Sequence, residues 1–224
     1  MSEQSAGTDN SIDGVKRVAA RYSRLYLDAL RAADAPSAFR VASTALGEGL
    51  TLPELCQRVI APAMHEIGKL WERGALTVAD EHLATALTHR VLAALRPPVE
   101  PEGGVDSRRT KAMLAAVEGE QHALGLRMAA DLLEEAGFHT IYLGADVPTD
   151  ALLQAVDSLA PDILALSATM PELSVQLEEV GAAVHRTRPQ IELLFGGQAA
   201  SPRISSGRLI PDLELLPERL PPQL

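Results

Sequence analysis

The chain has one cysteine, Cys56, no excess of basic charge and no long apolar run. A single cysteine excludes an intrachain disulfide and a Cys-rich metal site, a usage that fits a reducing compartment. Cys56 itself reads as a small apolar core residue on a helix. With 20 Lys and Arg against 30 Asp and Glu, the formal net charge is −10 and the pI near 5.1. That balance excludes direct nucleic-acid binding, because phosphates require a basic footprint. Any link to DNA is expected to run through a protein partner. No apolar stretch approaches the roughly 18 residues of a membrane span, and the polar opening, Met1 to Asn10, has no signal-peptide core. A cytoplasmic protein without membrane contact is expected. There is no internal repeat and no low-complexity tract.

What is present divides in two. At 224 residues and 46% hydrophobic, the chain can bury two modest cores. Residues 1–13 are small, polar and unpatterned and are expected to form a disordered tail. From Val15 the apolar spacing turns helical: Val15, Val18, Ala19, Tyr22, Leu25, Tyr26 and Ala29 share a stripe. A second helix is predicted over about 36–45, before Gly47 and Gly49. Thr51-Leu52-Pro53-Glu54 has the form of a capping box and opens a long helix to about Glu72. Thr77-Val78-Ala79-Asp80 repeats the signal more loosely and opens a fourth, to about Leu95. Residues 14–96 are therefore expected to be a four-helix cap. The Pro- and Gly-rich residues 97–108 read as a linker.

Beyond it, short apolar runs alternate with helical stretches. Strands are expected at 111–117, 140–143, 163–167 and 192–195, with helices at 124–136, 149–159 and 172–186. A last strand is expected near 213–216, in the Pro-rich end. Such alternation implies a parallel sheet covered on both faces, so residues 109–224 are expected to be a flavodoxin-like, Rossmann-type domain. The whole chain is thus α/β, with an N-terminal four-helix bundle.

Three elements fall at the ends of these strands. Glu120-x-His122-x-x-Gly125 follows the first, and Ser167-Ala168-Thr169 the third, with 41 residues between Gly125 and Ser167. Gly196-Gly197 ends the fourth, with 26 residues between Thr169 and Gly196. In an open α/β sheet ligands bind beyond the carboxyl ends of the strands. Gly125 lets a bulky group approach the start of a helix. Glu120 can accept a hydrogen bond from one imidazole nitrogen of His122 and leave the other free for a metal. Singly each element is weak: a loop histidine is more often a surface residue, and Gly-Gly after a strand a turn. Together they line one edge.

Over roughly residues 109–200 this pattern resembles the cobalamin-binding domain of methionine synthase, corrinoid methyltransferase proteins and cobalamin-dependent mutases, whose motif runs Asp-x-His-x-x-Gly, Ser-x-Leu, Gly-Gly. The resemblance implies that His122 binds cobalt in place of the cofactor's own lower base. It implies also that Ser167, Thr169, Gly196 and Gly197 hold the displaced dimethylbenzimidazole tail. Asp146 and Val147, in Gly144-Ala145-Asp146-Val147-Pro148 after the second strand, would lie near the corrin. Two residues depart from the pattern: Glu120 stands for Asp and Thr169 for Leu.

The helical half carries Trp71 and, with nine residues between, Glu81-His82, with Trp71 placed in the turn 70–74. Taken alone, Trp71 reads as a helix-joining aromatic and Glu81-His82 as the solvated first turn of a helix, where a carboxylate suits the dipole. Beside the cobalamin motif, the set resembles the cap of cobalamin-dependent photoreceptors of the CarH type, and implies that Trp71, Glu81 and His82 guard the upper axial face. Glu72 stands where the DNA-binding relatives have a histidine, leaving His65, His82 and His89 as possible upper ligands. The tail is too short for their helix-turn-helix domain. The resemblance implies a non-enzymatic light sensor using adenosylcobalamin, acting as a homo-oligomer or on a transcription regulator or signalling enzyme. A corrinoid shuttle for a methyltransferase is the alternative, and a sensor using haem or a bilin, alone or beside cobalamin, is a third.

Overall fold

A computed structural model describes residues 6–96, 110–201 and 204–220, with side chains in the first helix from Gly14 onward. The expected linker, 97–108, lies outside the described residues. The chain forms two compact units, Met1–Glu100 and Pro101–Leu224.

The first unit is helical: α1 (Ala6–Arg31), α2 (Ala35–Gly47), α3 (Leu52–Glu54), a π-helical segment (Leu55–Ile60), α4 (Ala61–Glu72) and α5 (Val78–Leu95). Of the expected tail, residues 1–5 lie outside the described residues and 6–13 are corrected to helix, since α1 begins at Ala6. Once the packed stripe has nucleated a helix, each further polar residue adds a backbone hydrogen bond for little cost. Both capping boxes form: Glu54 N–H donates to Thr51 Oγ1, and Thr51 N–H to Glu54 Oε2 at 2.9 Å. Asp80 N–H donates to Thr77 Oγ1, and Thr77 N–H to Asp80 Oδ2 at 2.8 Å. The long third helix of the sequence reading is not uniform. Ala61 N–H bonds Cys56 O, five residues back, just before Pro62, which has no N–H to offer.

The core of this unit is built on Tyr26, Leu55, Val59, Ile60 and Ile67, with Ala38, Ala42 and Ala45 forming the buried face of α2. Tyr26 is fully buried, so its hydroxyl needs a partner; it donates to Thr88 Oγ1 at 3.2 Å, which donates in turn to Ala84 O at 2.9 Å. Burial pushes the Tyr26 phenol up to about 12.

The second unit is a five-stranded parallel sheet in the order β2-β1-β3-β4-β5: β1 (Lys111–Val117), β2 (His139–Val147), β3 (Ile163–Ser167), β4 (Glu192–Gly196) and β5 (Arg208–Leu209). The crossovers carry α6 (Leu124–Glu135), α7 (Thr149–Leu159) and α8 (Ser174–Thr187). This is the doubly wound order, and the chain reverses direction across the sheet between β1 and β3. All of β3 and all but Lys111 of β1 are buried, as strands covered on both faces must be. Leu164, Leu166, Leu177, Val180, Val184 and Phe195 are among the residues of the core between sheet and helices.

Two expectations are corrected. β2 runs on through Gly144 to Val147, which the sequence had placed after the strand. Paired with β1, it carries an extra residue between Tyr142 and Gly144 and another between Gly144 and Val147. The last strand is not at 213–216. Asp212 accepts from Glu214 N–H and starts a helical turn, and Pro217 follows at the head of α9 (Leu216–Arg219). The edge strand is Arg208–Leu209 instead. Gly207 allows it, since a Cβ there would sit 2.5 Å from Leu193 O.

Candidate functional site

The loop after β1 carries Glu120 and His122, and the β3–α8 loop beside it carries Ala168, Thr169 and Met170. Because β1 and β3 are neighbours and parallel, both loops leave the same edge of the sheet. Glu120 joins them. Its carboxylate is fully buried, which demands hydrogen-bond donors. Oε1 accepts from His122 N–H at 2.7 Å and faces His122 Nδ1 at 2.7 Å. Oε2 accepts from the backbone N–H groups of Thr169 and of Met170, the latter at 3.1 Å. Burial pushes the Glu120 carboxyl up, but these bonds together outweigh it and hold the group below its ordinary value.

A carboxylate only accepts, so in the neutral imidazole the proton of His122 sits at Nδ1, which leaves the lone pair on Nε2. The His122 side chain is 58% exposed. A basic, oriented nitrogen thus faces outward, which is how a histidine is prepared for a metal ion. Two nearby glycines leave open space at their Cβ positions. Gly125, in the first turn of α6, has no atom within 4 Å of where a Cβ would stand. A Cβ on Gly196 would meet only Ile210 O, at 3.9 Å. Gly197 is different: it has φ +88, and a Cβ there would lie 2.1 Å from Ala168 O. Its requirement is one of fold, since it lets the β4 loop pass the β3 loop. These donors and spaces fit a cobalt corrinoid: His122 would ligate the metal, with Gly125 and Gly196 beside it.

The sequence-predicted residues of this unit divide by position. Ser167 is buried and in register between Ala116 and Gly196, and Thr169 is half-buried on the adjoining loop. Val147 pairs with Val117 and packs against the core. Asp146 accepts from Gly119 N–H at 2.7 Å and from Gln121 Nε2 at 3.0 Å, so it is tied to the histidine loop itself. Sequence reasoning missed that tie, and no spacing signals it. It also missed the second duty of Glu120 toward Thr169 and Met170, for which the extra methylene relative to Asp was the available clue.

In the helical unit, Trp71 occupies the last turn of α4, not a separate turn, and is 46% exposed. Glu81 and His82 lie in the first two turns of α5. His82 Nδ1 meets Glu81 Oε2 at 2.7 Å, and Thr85 Oγ1 donates to Glu81 Oε1 at 2.9 Å. Val78, also exposed, stands at the head of the same helix. Among the described residues no group of three or more His, Cys, Asp and Glu could hold a metal ion. No described helix is long and apolar enough to cross a membrane.

Both halves match known families. Residues 110–205 match a family model described as B12 binding domain, and residues 23–96 match a second model of the same description. Trimethylamine corrinoid protein 1 of Methanosarcina acetivorans is 27% identical over 177 residues, 76% of this chain and 80% of its own. The HTH-type transcriptional repressor CarH of Myxococcus xanthus is 33% identical over 143 residues, 63% of this chain and 46% of its own. Among solved structures, the monomethylamine corrinoid protein of Methanosarcina barkeri shares the fold at a TM-score of 0.67 and 17% identity, over 86% of this chain and 93% of that one.

Proposed function

We propose that this cobalamin-binding protein is a corrinoid carrier: it holds cobalamin through His122 and presents the cobalt to a protein partner. The observation that carries the reading is the buried Glu120 carboxylate fixing His122 Nδ1 and leaving Nε2 outward. Bound cobalamin would supply a cobalt centre that takes up and releases an alkyl group. The chain's residues do the rest. Glu120 orients His122 through the Nδ1–H bond. Because the same carboxylate binds Thr169 and Met170, the histidine and the β3 loop move as one piece. Ser167, Thr169, Gly196 and Gly197 would line the crevice taking the nucleotide tail. The carrier reading stands first because the trimethylamine corrinoid protein aligns over most of its own length, and it assigns the chain no catalytic residue of its own.

A second reading, a light sensor acting on a regulator, is favoured by one observation: Trp71, Glu81 and His82 present an exposed aromatic and a carboxylate–imidazole contact on one helical unit. There the upper group would be adenosyl. One experiment separates the two. The protein is loaded in the dark with adenosylcobalamin or methylcobalamin, and absorption and sedimentation are followed before and after green light. A carrier gives spectra of a histidine-ligated corrinoid with both forms and keeps its sedimentation on illumination. A sensor changes its mass or shape with the adenosyl form. Identical spectra for wild type and His122→Ala would remove His122, and with it both readings of the site. Haem or a bilin in place of cobalamin would show as a Soret or bilin band in the purified protein.

A further inference from the structure

We infer that Asp146 is a positioning residue that locks the histidine loop from the neighbouring strand and so sets the orientation of His122. The inference rests on His122 as the cobalt ligand, but its structural basis is independent of any cofactor. β2 pairs regularly with β1 from His139 to Tyr142 and then gains two extra residues before Val147. Such bulges bend a strand and re-aim its side chains. Here they place Asp146 at φ +52, the left-handed region, which Asp and Asn enter more readily than other residues with a Cβ. In that conformation the residue makes three bonds to consecutive positions of one loop. Oδ1 accepts from Gly119 N–H at 2.7 Å, its N–H donates to Glu120 O at 2.8 Å, and Oδ2 accepts from Gln121 Nε2 at 3.0 Å.

The three residues bound are the three that precede His122. Gly119 itself has φ +85, so a left-handed residue of the loop is bonded to a left-handed residue of β2. Glu120 is held on its side-chain end by the β3 loop and on its backbone end by Asp146. Without the Asp146 side chain, the bonds to Gly119 and Gln121 on either side of Glu120 are lost, and the Glu120 carboxylate loses its fixed approach to His122 Nδ1.

The test uses the full chain labelled with 15N-histidine, as wild type, Asp146→Ala and Asp146→Asn, with His122→Ala to assign the resonance. In the apoprotein, long-range proton–nitrogen NMR reads the ring tautomer. Wild type is expected to show His122 in the Nδ1–H form and Asp146→Ala a mixture of tautomers. Asp146→Asn restores wild-type behaviour, since Asn tolerates the left-handed φ and its Oδ1 still accepts from Gly119. In protein loaded with cobalamin and reduced to cobalt(II), the electron spin resonance coupling to labelled histidine measures the ligated fraction. The ratio of ligated to unligated cofactor in Asp146→Ala is expected to fall on the order of fivefold, the loss of about one net hydrogen bond, at unchanged stoichiometry. A wild-type tautomer in Asp146→Ala overturns the inference. Absence of histidine coupling in wild type overturns the lower-ligand reading instead, and the tautomer measurement still decides the role of Asp146.

Discussion

His122 and His82 each meet a carboxylate through Nδ1 at 2.7 Å, yet the two contacts differ in kind. Glu120 is completely enclosed and accepts from two loops, whereas Glu81 is 27% and His82 75% exposed. An enclosed carboxylate must be satisfied by protein groups, so its geometry is dictated by the fold. An exposed pair competes with water and salt and contributes well under 1 kcal/mol as a rule. Equal distances therefore carry unequal information: the α/β unit holds a histidine whose orientation is fixed by the fold, and the helical unit holds residues whose arrangement a bound group could still change.

The largest effect that sharpens this contrast is expected at Gly197. An alanine there meets Ala168 O at 2.1 Å and adopts φ +88, so Gly197→Ala should destabilise the α/β unit by about 3 kcal/mol or more. Gly125→Ala, with empty space around it, should leave the apoprotein as stable or slightly more so, since Ala suits a helix better than Gly by up to about 1 kcal/mol. It should nevertheless weaken cobalamin binding. Urea unfolding of the apoproteins and a cobalamin titration of each distinguish the roles. Trp71 is the sole tryptophan, so its fluorescence reports the helical unit, while far-UV circular dichroism sees both. An unaltered denaturation midpoint in Gly197→Ala would show that the β3 and β4 loops can part without cost.

Next in size is Glu120→Gln. An amide keeps the shape but turns one end into a donor facing N–H groups, either those of His122 or those of Thr169 and Met170. The loss should be about 2 kcal/mol, from hydrogen bonds to a charged group exchanged for unsatisfied donors. The wild-type carboxyl is held below its ordinary value. The stability it contributes is therefore present above the unfolded value, near 4.5, and is lost as pH falls through the folded one. The acid limb of the circular dichroism stability curve should be flatter in Glu120→Gln. Equal slopes would mean that Glu120 is not the group responsible.

The parallel sheet and the helical half were legible because they rest on periodicity: the apolar runs of β1 and β3, the stripe of α1, and the Thr51 and Thr77 boxes. The motif residues were legible by strand position. What escaped depends on contacts between distant segments. Nothing local marks Asp146 as bonded to Gly119 and Gln121, because the bulges that bring it there arise from pairing with β1. The end of the chain misled for a different reason. Leu213-Glu214-Leu215-Leu216 looks strand-like by hydropathy, but the Asp212 cap and Pro217 set a helical turn.

In the helical unit the counterpart of Glu120 is Tyr26, a buried polar group with a structural task only. Tyr26→Phe removes the bond to Thr88, which keeps its own bond to Ala84, so about 1 kcal/mol should be lost at neutral pH. The sign reverses that of Glu120. With the phenol raised to about 12, the protonated form is favoured by folding. Its contribution is full below the unfolded value near 10 and disappears as pH climbs to about 12. Trp71 fluorescence should show an alkaline decline in wild type that Tyr26→Phe lacks.

The smallest effect on stability, and the one that tests whether the helical residues serve a bound group, is expected from His82→Gln with Trp71 intact. The His82–Glu81 contact is exposed, and Thr85 Oγ1 continues to hold Glu81 Oε1 at 2.9 Å, so the apoprotein should change by no more than about 0.5 kcal/mol. Against that flat background any change in the loaded protein belongs to the cofactor. If the cap covers the upper face, cobalamin should quench Trp71 fluorescence by energy transfer in both proteins, and His82→Gln should release the cofactor faster by a few fold. If Trp71 keeps its full intensity at saturating cobalamin, the helical unit lies away from the corrin. The His82–Glu81 pair is then an ordinary surface contact, and the contrast with His122 is complete.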